Sequence, residues 1–237
     1  MGTMNAAALR NQIEARIPAA FSPAKVRDHK FISTGMEEID NLTGGVPLSA
    51  LTEICGSAVS SSGKTSVLVS LLAQATQQGQ FCALVDGGDT FDPASGEAVG
   101  VSLPHLLWVR CGKTKQKLPP LEQAFKVADI LVQSSGFGLV IVDLSNFSER
   151  VIRKIPLTSW FRFSRVVEKQ PMALVFIERE PHATSCAGLV LNVRSNPTLW
   201  TGNLFMQCKI EVEVIRAQEK KQSLSTRPSF ALKSQWA

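Results

Sequence analysis

The chain has 237 residues, of which 44% are hydrophobic and 19% charged, with a net charge of +5 and a pI near 9.1. That length supports one substantial core with short extensions, and the balance is that of a soluble globular protein. No apolar run approaches the roughly 18 residues of a membrane span, and Met1–Ile17 lacks the basic-then-apolar order of a secretory leader, so a cytoplasmic protein with no membrane contact is expected.

Residues 1–30 contain one short amphipathic stretch, AALRNQIEARI, followed by Pro18 and Pro23, and read as an N-terminal arm. From Phe31 the pattern changes. ISTGMEEIDNLTGG is a short helical piece closed by Gly44 and Gly45, and residues 50–55 read as a strand. A helix is expected over 64–77, then strands over 81–86 and 106–110. A second helix follows over 121–133, with Leu121, Ala124, Phe125, Ala128, Leu131 and Val132 at helical spacing. The strand LVIVD (139–143), a helix over 159–169 and the apolar run MALVFI (172–177) continue the alternation. Strands alternating with helices predict an α/β fold, a mostly parallel sheet with helices on both faces.

The C-terminal part differs. GLVLNV (188–193) and KIEVEVIR (209–216) are strands with no helix between them, and the second alternates with Ile210, Val212 and Val214 on one face. They predict antiparallel strands finishing one edge of the sheet. Residues 31–216 are therefore the core domain, and 217–237 a basic tail too polar to add to it. The tail carries the apolar residues Phe230, Leu232 and Trp236, which suit docking on a separate protein; the alternative is that Trp236 folds back over the edge strand at Ile210–Ile215.

Chemistry concentrates in the segment from Gly56 to Thr65. AVSSSGKT lies between a predicted strand and a predicted helix, the setting in which backbone N–H groups and a helix N-terminus cradle phosphate oxygens. Gly56, Ser60, Ser61, Ser62, Gly63, Lys64, Thr65 and Ser66 are the candidate nucleotide-binding residues, with Lys64 reaching the terminal phosphates and Thr65 holding Mg²⁺. The first glycine of the usual pattern falls on Ala58; either alanine takes that position or the loop runs two residues longer, from Gly56. Asp143, ending LVIVD, is the second candidate Mg²⁺ residue. Arg150, Arg153, Lys154, Arg162 and Arg165 surround WFRF and are the candidate DNA-binding residues. The same run also reads as an amphipathic helix with Trp160, Phe161 and Phe163 in the core and its arginines solvated. Cys55, Cys82, Cys111, Cys186 and Cys208 show no CxxC and read as small core hydrophobes, and His29, His105 and His182 are too scattered for a zinc site.

Several of these segments, in collinear order over about residues 31–216, resemble the RecA recombinase family: ISTGMEEIDNLTGG, EICG, SSGKT, CALVDGGDTFDP, VGVSLPHLLWVR, LEQAF, SSGFGLVIVDL and ALVFIERE. The resemblance implies a RecA-like P-loop fold, ATP and Mg²⁺ as cofactors, single-stranded DNA as partner, and homo-oligomers or filaments. The short length and IPLTSWFRFSRVVE look most like the diverged ImuA-type proteins. Those imply damage-induced (SOS) translesion mutagenesis beside a polymerase-like partner of the ImuB type.

The departures from the family are specific. The glutamate that activates water falls on Gly88, with Asp89 one residue on; the adenine-stacking tyrosine falls on Ser95; the phosphate-sensing glutamine falls on Arg179. The second DNA loop shrinks to PHATSCAG, and the paired lysines that reach a neighbouring subunit fall on Arg216 and Gln218, leaving Arg216 as the candidate intersubunit residue. Together they imply an accessory protein of DNA repair with weak or lost ATPase. The alternative is an active ATP-dependent recombinase, which would need the glutamate.

Overall fold

The computed structural model describes residues 15–16, 30–56, 62–112, 118–201, 204–217 and 229–233. A small antiparallel ribbon, β1 (Phe31–Ile32) with β2 (Val46–Pro47), brackets α1 (Glu37–Thr43). Asp40 pins the segment before that helix, accepting from Ser33 Oγ at 2.6 Å and from Thr34 N and Oγ1 at 2.8 Å each. The chain then runs β3 (Ala50–Cys55), α2 (Lys64–Gln77), β4 (Cys82–Asp86), α3 (Pro93–Ala98), β5 (Leu106–Arg110), α4 (Pro120–Gln133) and β6 (Leu139–Asp143). It continues with α5 (Glu149–Ile152), α6 (Leu157–Val167), β7 (Ala173–Glu178), β8 (Leu189–Thr201), β9 (Leu204–Ala217) and β10 (Ser229–Lys233).

One eight-stranded sheet has the order β10-β9-β8-β3-β7-β6-β4-β5. From β5 to β8 all neighbours are parallel, and β9 and β10 are antiparallel to the strands before them. This is the expected α/β architecture. Both faces of the inner strands are apolar because both are covered. On one face Ile39, Val67, Leu71 and Leu72 from α1 and α2 pack on Ile54, Ile141, Val175 and Ile177. On the other, α4 and α6 bring Ala124, Ala128, Trp160 and Phe163 against Val142 and Phe176, with Trp160 and Phe176 ring centroids 4.8 Å apart. Ile210, Val212 and Val214 are buried as their alternation predicts, and Cys55, Cys82, Cys111 and Cys186 are free and buried.

Helix α6 starts earlier than its apolar periodicity suggests because Pro156 sets the N-cap and the first turn, Leu157 and Thr158, is exposed. The tail expectation needs a correction at its end. Residues 229–233 do not stand apart; they form edge strand β10, with Ser229 opposite Glu211 and Lys233 opposite Gln207. An edge strand's backbone N–H and C=O groups join a ladder whatever its polarity, which a hydrophobic count misses. Trp236, Cys208's side chain and, in the N-terminal arm, Leu9, Ile13 and Ile17 lie outside the residues or side chains described.

Removing residues 222–237 deletes β10 and leaves β9 as a bare edge. The melting temperature should fall, at about 2–4 °C per kcal/mol lost for a domain of this size. An unchanged melting temperature in a thermal scan of the truncated chain would contradict the pairing.

Candidate nucleotide site

Parallel strands β3, β6 and β7 end side by side, and the loop from β3 enters α2 at this carboxyl edge, where ligands bind in open α/β sheets. Gly63 is the N-cap of α2 at φ +84°, and no side chain caps the helix. That left-handed φ favours glycine, and a Cβ there would meet Ile210 Cδ1 at 2.3 Å. The first N–H groups of a 14-residue helix are thus presented without an internal acceptor, which suits an anion.

Lys64 is 7% exposed and donates through Nζ to Gly56 O and Glu178 O, 2.8 Å each. Burial lowers its pKa, while the Asp143 charge works against that shift. Ser62 and Gly56 pack together, for a Cβ on Gly56 would meet Val193 O at 2.4 Å and Ser62 Oγ at 2.9 Å. Thr65 is exposed and Ser66 half-buried in the first turn, whereas Ser60 and Ser61 lie outside the described residues. Asp143 is raised by burial and steadied through Oδ1 by Ser145 N at 2.9 Å and Ser145 Oγ at 2.6 Å. Arg179 donates through Nε to Ser145 O at 2.9 Å, and its charge further lowers the Lys64 pKa. The uncapped helix start, one buried lysine, the exposed Thr65 hydroxyl and a nearby carboxylate fit a phosphate chain with Mg²⁺.

The rest of a nucleotide finds less. Ser95 is turned into the start of α3, its Oγ donating to Asp92 Oδ2 at 2.5 Å. Trp108 is covered: Arg110 lies over its ring at 4.8 Å, Phe91 packs edge-on at 5.5 Å, and its Nε1 donates to Asp86 at 3.3 Å. Asp89, at φ +54°, is held by Arg110 through Nε at 2.5 Å and Nη2 at 2.9 Å, which keeps its carboxyl below the usual range and engaged. A Cβ on Gly88 would meet Asn146 Nδ2 at 2.2 Å and Asn146 Cβ at 2.8 Å, so the space where a glutamate side chain begins is filled.

With this geometry in view, the family model of the RecA N-terminal domain matches residues 20–148. The chain belongs to the RecA family. Protein RecA of Methylococcus capsulatus is 37% identical over 122 residues, 51% of this chain and 33% of that protein. Protein RecA of Rickettsia africae is 35% identical over 118 residues (49% and 32%), and that of Marinobacter nauticus 36% over 114 residues (47% and 30%). The match spans about a third of the length of these relatives.

The basic residues that lie together in this RecA-family sequence separate in space. Arg150 lies in α5, with Arg153 as its C-cap and Lys154 next to it, just after the carboxyl end of β6, and Arg153 pairs with Glu149 and, at 3.6 Å, with Glu180. Helix α6 then runs back toward the amino edge, where β7 begins, carrying Arg162 and Arg165 away. Arg162 pairs with Asp129 at 3.2 Å. Trp160 and Phe163 are core and Phe161 is 43% exposed, so the amphipathic-helix reading holds for two of the three aromatics. Arg216 lies on β9, half-buried, with its charge acting on Glu53 of the same chain; Gln218 is outside the described residues.

Sequence reasoning missed a buried acid pair. Glu53 and Glu178 are both fully buried; Glu53 Oε1 accepts from His182 N at 2.6 Å and Ala183 N at 2.7 Å, while Glu178 Oε2 and His182 Nδ1 lie 2.5 Å apart. A charged residue inside the apolar run ALTEIC was the available signal. Burial pushes the Glu178 carboxyl up to about 7, against the opposing pull of the His182 bond. Burial lowers His182, but its bond to Glu178 and the charges of Glu178 and Glu53 together outweigh that, and the net shift is upward.

Both shifts have the same consequence. A group whose pKa is raised by folding stabilises the fold fully below its unfolded value and loses that contribution as pH rises through the folded value. For Glu178 the window runs from 4.5 to about 7. Glu178→Gln removes this titration, so its urea midpoint relative to the unaltered chain should climb across that window. Parallel profiles would contradict the assignment.

Proposed function

We propose that this RecA-family chain is an ImuA-type accessory factor of DNA repair, acting in damage-induced translesion synthesis. It binds ATP and Mg²⁺ weakly through Gly56–Ser66 with Asp143, contacts single-stranded DNA, and works beside a polymerase-like partner of the ImuB type. Membership of the RecA family supports a role in DNA repair and recombination. The observation that supports the finer reading is Asn146 against Gly88: a Cβ on Gly88 would meet Asn146 Nδ2 at 2.2 Å and Asn146 Cβ at 2.8 Å, so a carboxylate side chain at that position would have to displace Asn146. Loss of a general base removes about 10²-fold or more in rate.

The reading requires nucleotide binding without brisk turnover. Titration with a fluorescent ATP analogue should show binding that weakens at least about tenfold in Lys64→Ala, because the buried cation at the phosphates is lost. Phosphate release should stay near background with or without DNA. Gly88→Glu alone should not restore it, since Asn146 holds the space. DNA-stimulated hydrolysis abolished by Lys64→Ala would overturn the reading in favour of an active recombinase.

DNA contact falls to Arg150, Arg153 and Lys154 at the carboxyl edge. Binding to oligo(dT) should weaken steeply with salt, and the slope should flatten by about 0.7 for each phosphate contact removed. The triple alanine variant at Arg150, Arg153 and Lys154 should lose about two units of slope on that basis. An unchanged slope would return these residues to a solvated surface. Self-association through Arg216 completes the reading, and sedimentation of an Arg216→Ala variant with and without nucleotide addresses it.

A further inference from the structure

The outer face of α6 carries a feature that neither nucleotide nor the carboxyl-edge cations explain. Thr158, Phe161, Arg162, Arg165, Val166 and Lys169 line an open groove of about 490 Å³. These positions recur at helical spacing on the side opposite Trp160, Phe163 and Val167, which are sunk in the core. One turn earlier Leu157 is 52% exposed, so two large apolar side chains, Leu157 and Phe161, lie exposed one helical turn apart among three cations.

We infer that this groove receives an acidic amphipathic segment of a protein partner, whose apolar side chain seats against Phe161 and Val166 while its carboxylates meet Arg162, Arg165 and Lys169. The inference deepens the partner clause of the proposed function and rests on it. Charge is the first argument. Arg162 already takes a carboxylate, that of Asp129 at 3.2 Å, so a carboxylate is a demonstrated partner for this guanidinium. Arg165 and Lys169 have no carboxylate partner among the described residues. Composition is the second. Asp129 and Glu168 stand beside the three cations, so the local field is only mildly positive. A nucleic-acid strand needs a denser cationic track, whereas an apolar anchor with a few acidic flanks is matched by a single exposed aromatic ringed by cations. The size is the third: the volume suits one large side chain with its surroundings, the anchor geometry of helix-in-groove recognition.

The test uses the full chain and fluorescence polarisation with three labelled probes: a helical peptide with glutamates flanking a Leu-x-x-x-Phe pair, the same peptide with lysines replacing the glutamates, and oligo(dT). The glutamate peptide should bind and the lysine peptide should not. Phe161→Ala should weaken binding about tenfold, and Arg165→Glu with Lys169→Glu should reverse the preference between the two peptides. Arg165→Lys with Lys169→Arg should keep it. All these positions are exposed, so the melting temperature serves as the folding control. If the peptide binds every variant alike, the groove assignment falls and the partner reading stands. Failure of the unaltered chain to bind the glutamate peptide overturns the groove. If oligo(dT) alone binds and the charge reversal abolishes it, the groove is a nucleic-acid contact and the partner reading loses its surface.

Discussion

The carboxyl edge of the sheet depends on one buried ammonium. Lys64 reaches back from the first turn of α2 to the carbonyl of Gly56 at the end of β3 and across to that of Glu178 at the end of β7. A cation at 7% exposure is tolerated only because two carbonyls and the nearby Asp143 charge replace its water. The same bonds draw the ends of β3, β7 and α2 into one rigid corner. Gly63 must accept a left-handed φ for the helix to begin where Lys64 can make this reach, and Ile210 closes the space behind it.

Glu178 joins that corner to the layer beneath. Its carbonyl serves Lys64 while its carboxyl meets His182, and Glu53 on the neighbouring strand takes the N–H groups of His182 and Ala183. Cys55 stands opposite Glu178 in the β3–β7 ladder, so Glu53 and Glu178 occupy the same face. The shortened segment PHATSCAG is thereby stitched onto the sheet, with Ala183, Cys186 and Ala187 buried beside Val190. Burial raises the pKa of both acids, and one oxygen of each, Glu53 Oε2 and Glu178 Oε1, has no hydrogen-bond partner.

How much of this was legible in the sequence follows from what each element buries. Strands β3, β5 and β6 and helix α2 fall on the residues that their apolar runs mark, because a strand covered on both faces or a helix packed along one side writes its period into the chain. The ribbon β1–β2, helix α3 and strand β10 were not seen: two-residue strands have no period, α3 is built from small residues around the Asp92 cap, and β10 is held by backbone bonds. At the candidate site, the residues that SSGKT and LVIVD mark meet at one corner, where β3 and β6 end and α2 begins. The packing of Asn146 on Gly88 and the engagement of Asp89 by Arg110 were invisible, since each joins segments far apart in sequence.

The basic residues show most plainly why linear proximity misleads. Arg153 and Arg165 are twelve positions apart, yet Arg165 lies near the end of α6, whose direction is dictated by the need to deliver the chain to the start of β7 at the opposite edge. A parallel strand must be entered from the amino edge, so every crossover helix carries its C-terminal side chains away from the ligand-binding edge. Arg150, Arg153 and Lys154 precede that journey and remain beside the carboxyl edge; Arg165 and Lys169 complete it. The burial of Trp160 and Phe163 fixes the rotation of the helix, which turns Phe161, Arg162 and Arg165 outward together. The division of one basic stretch into two surfaces is therefore a consequence of parallel topology and one aromatic core.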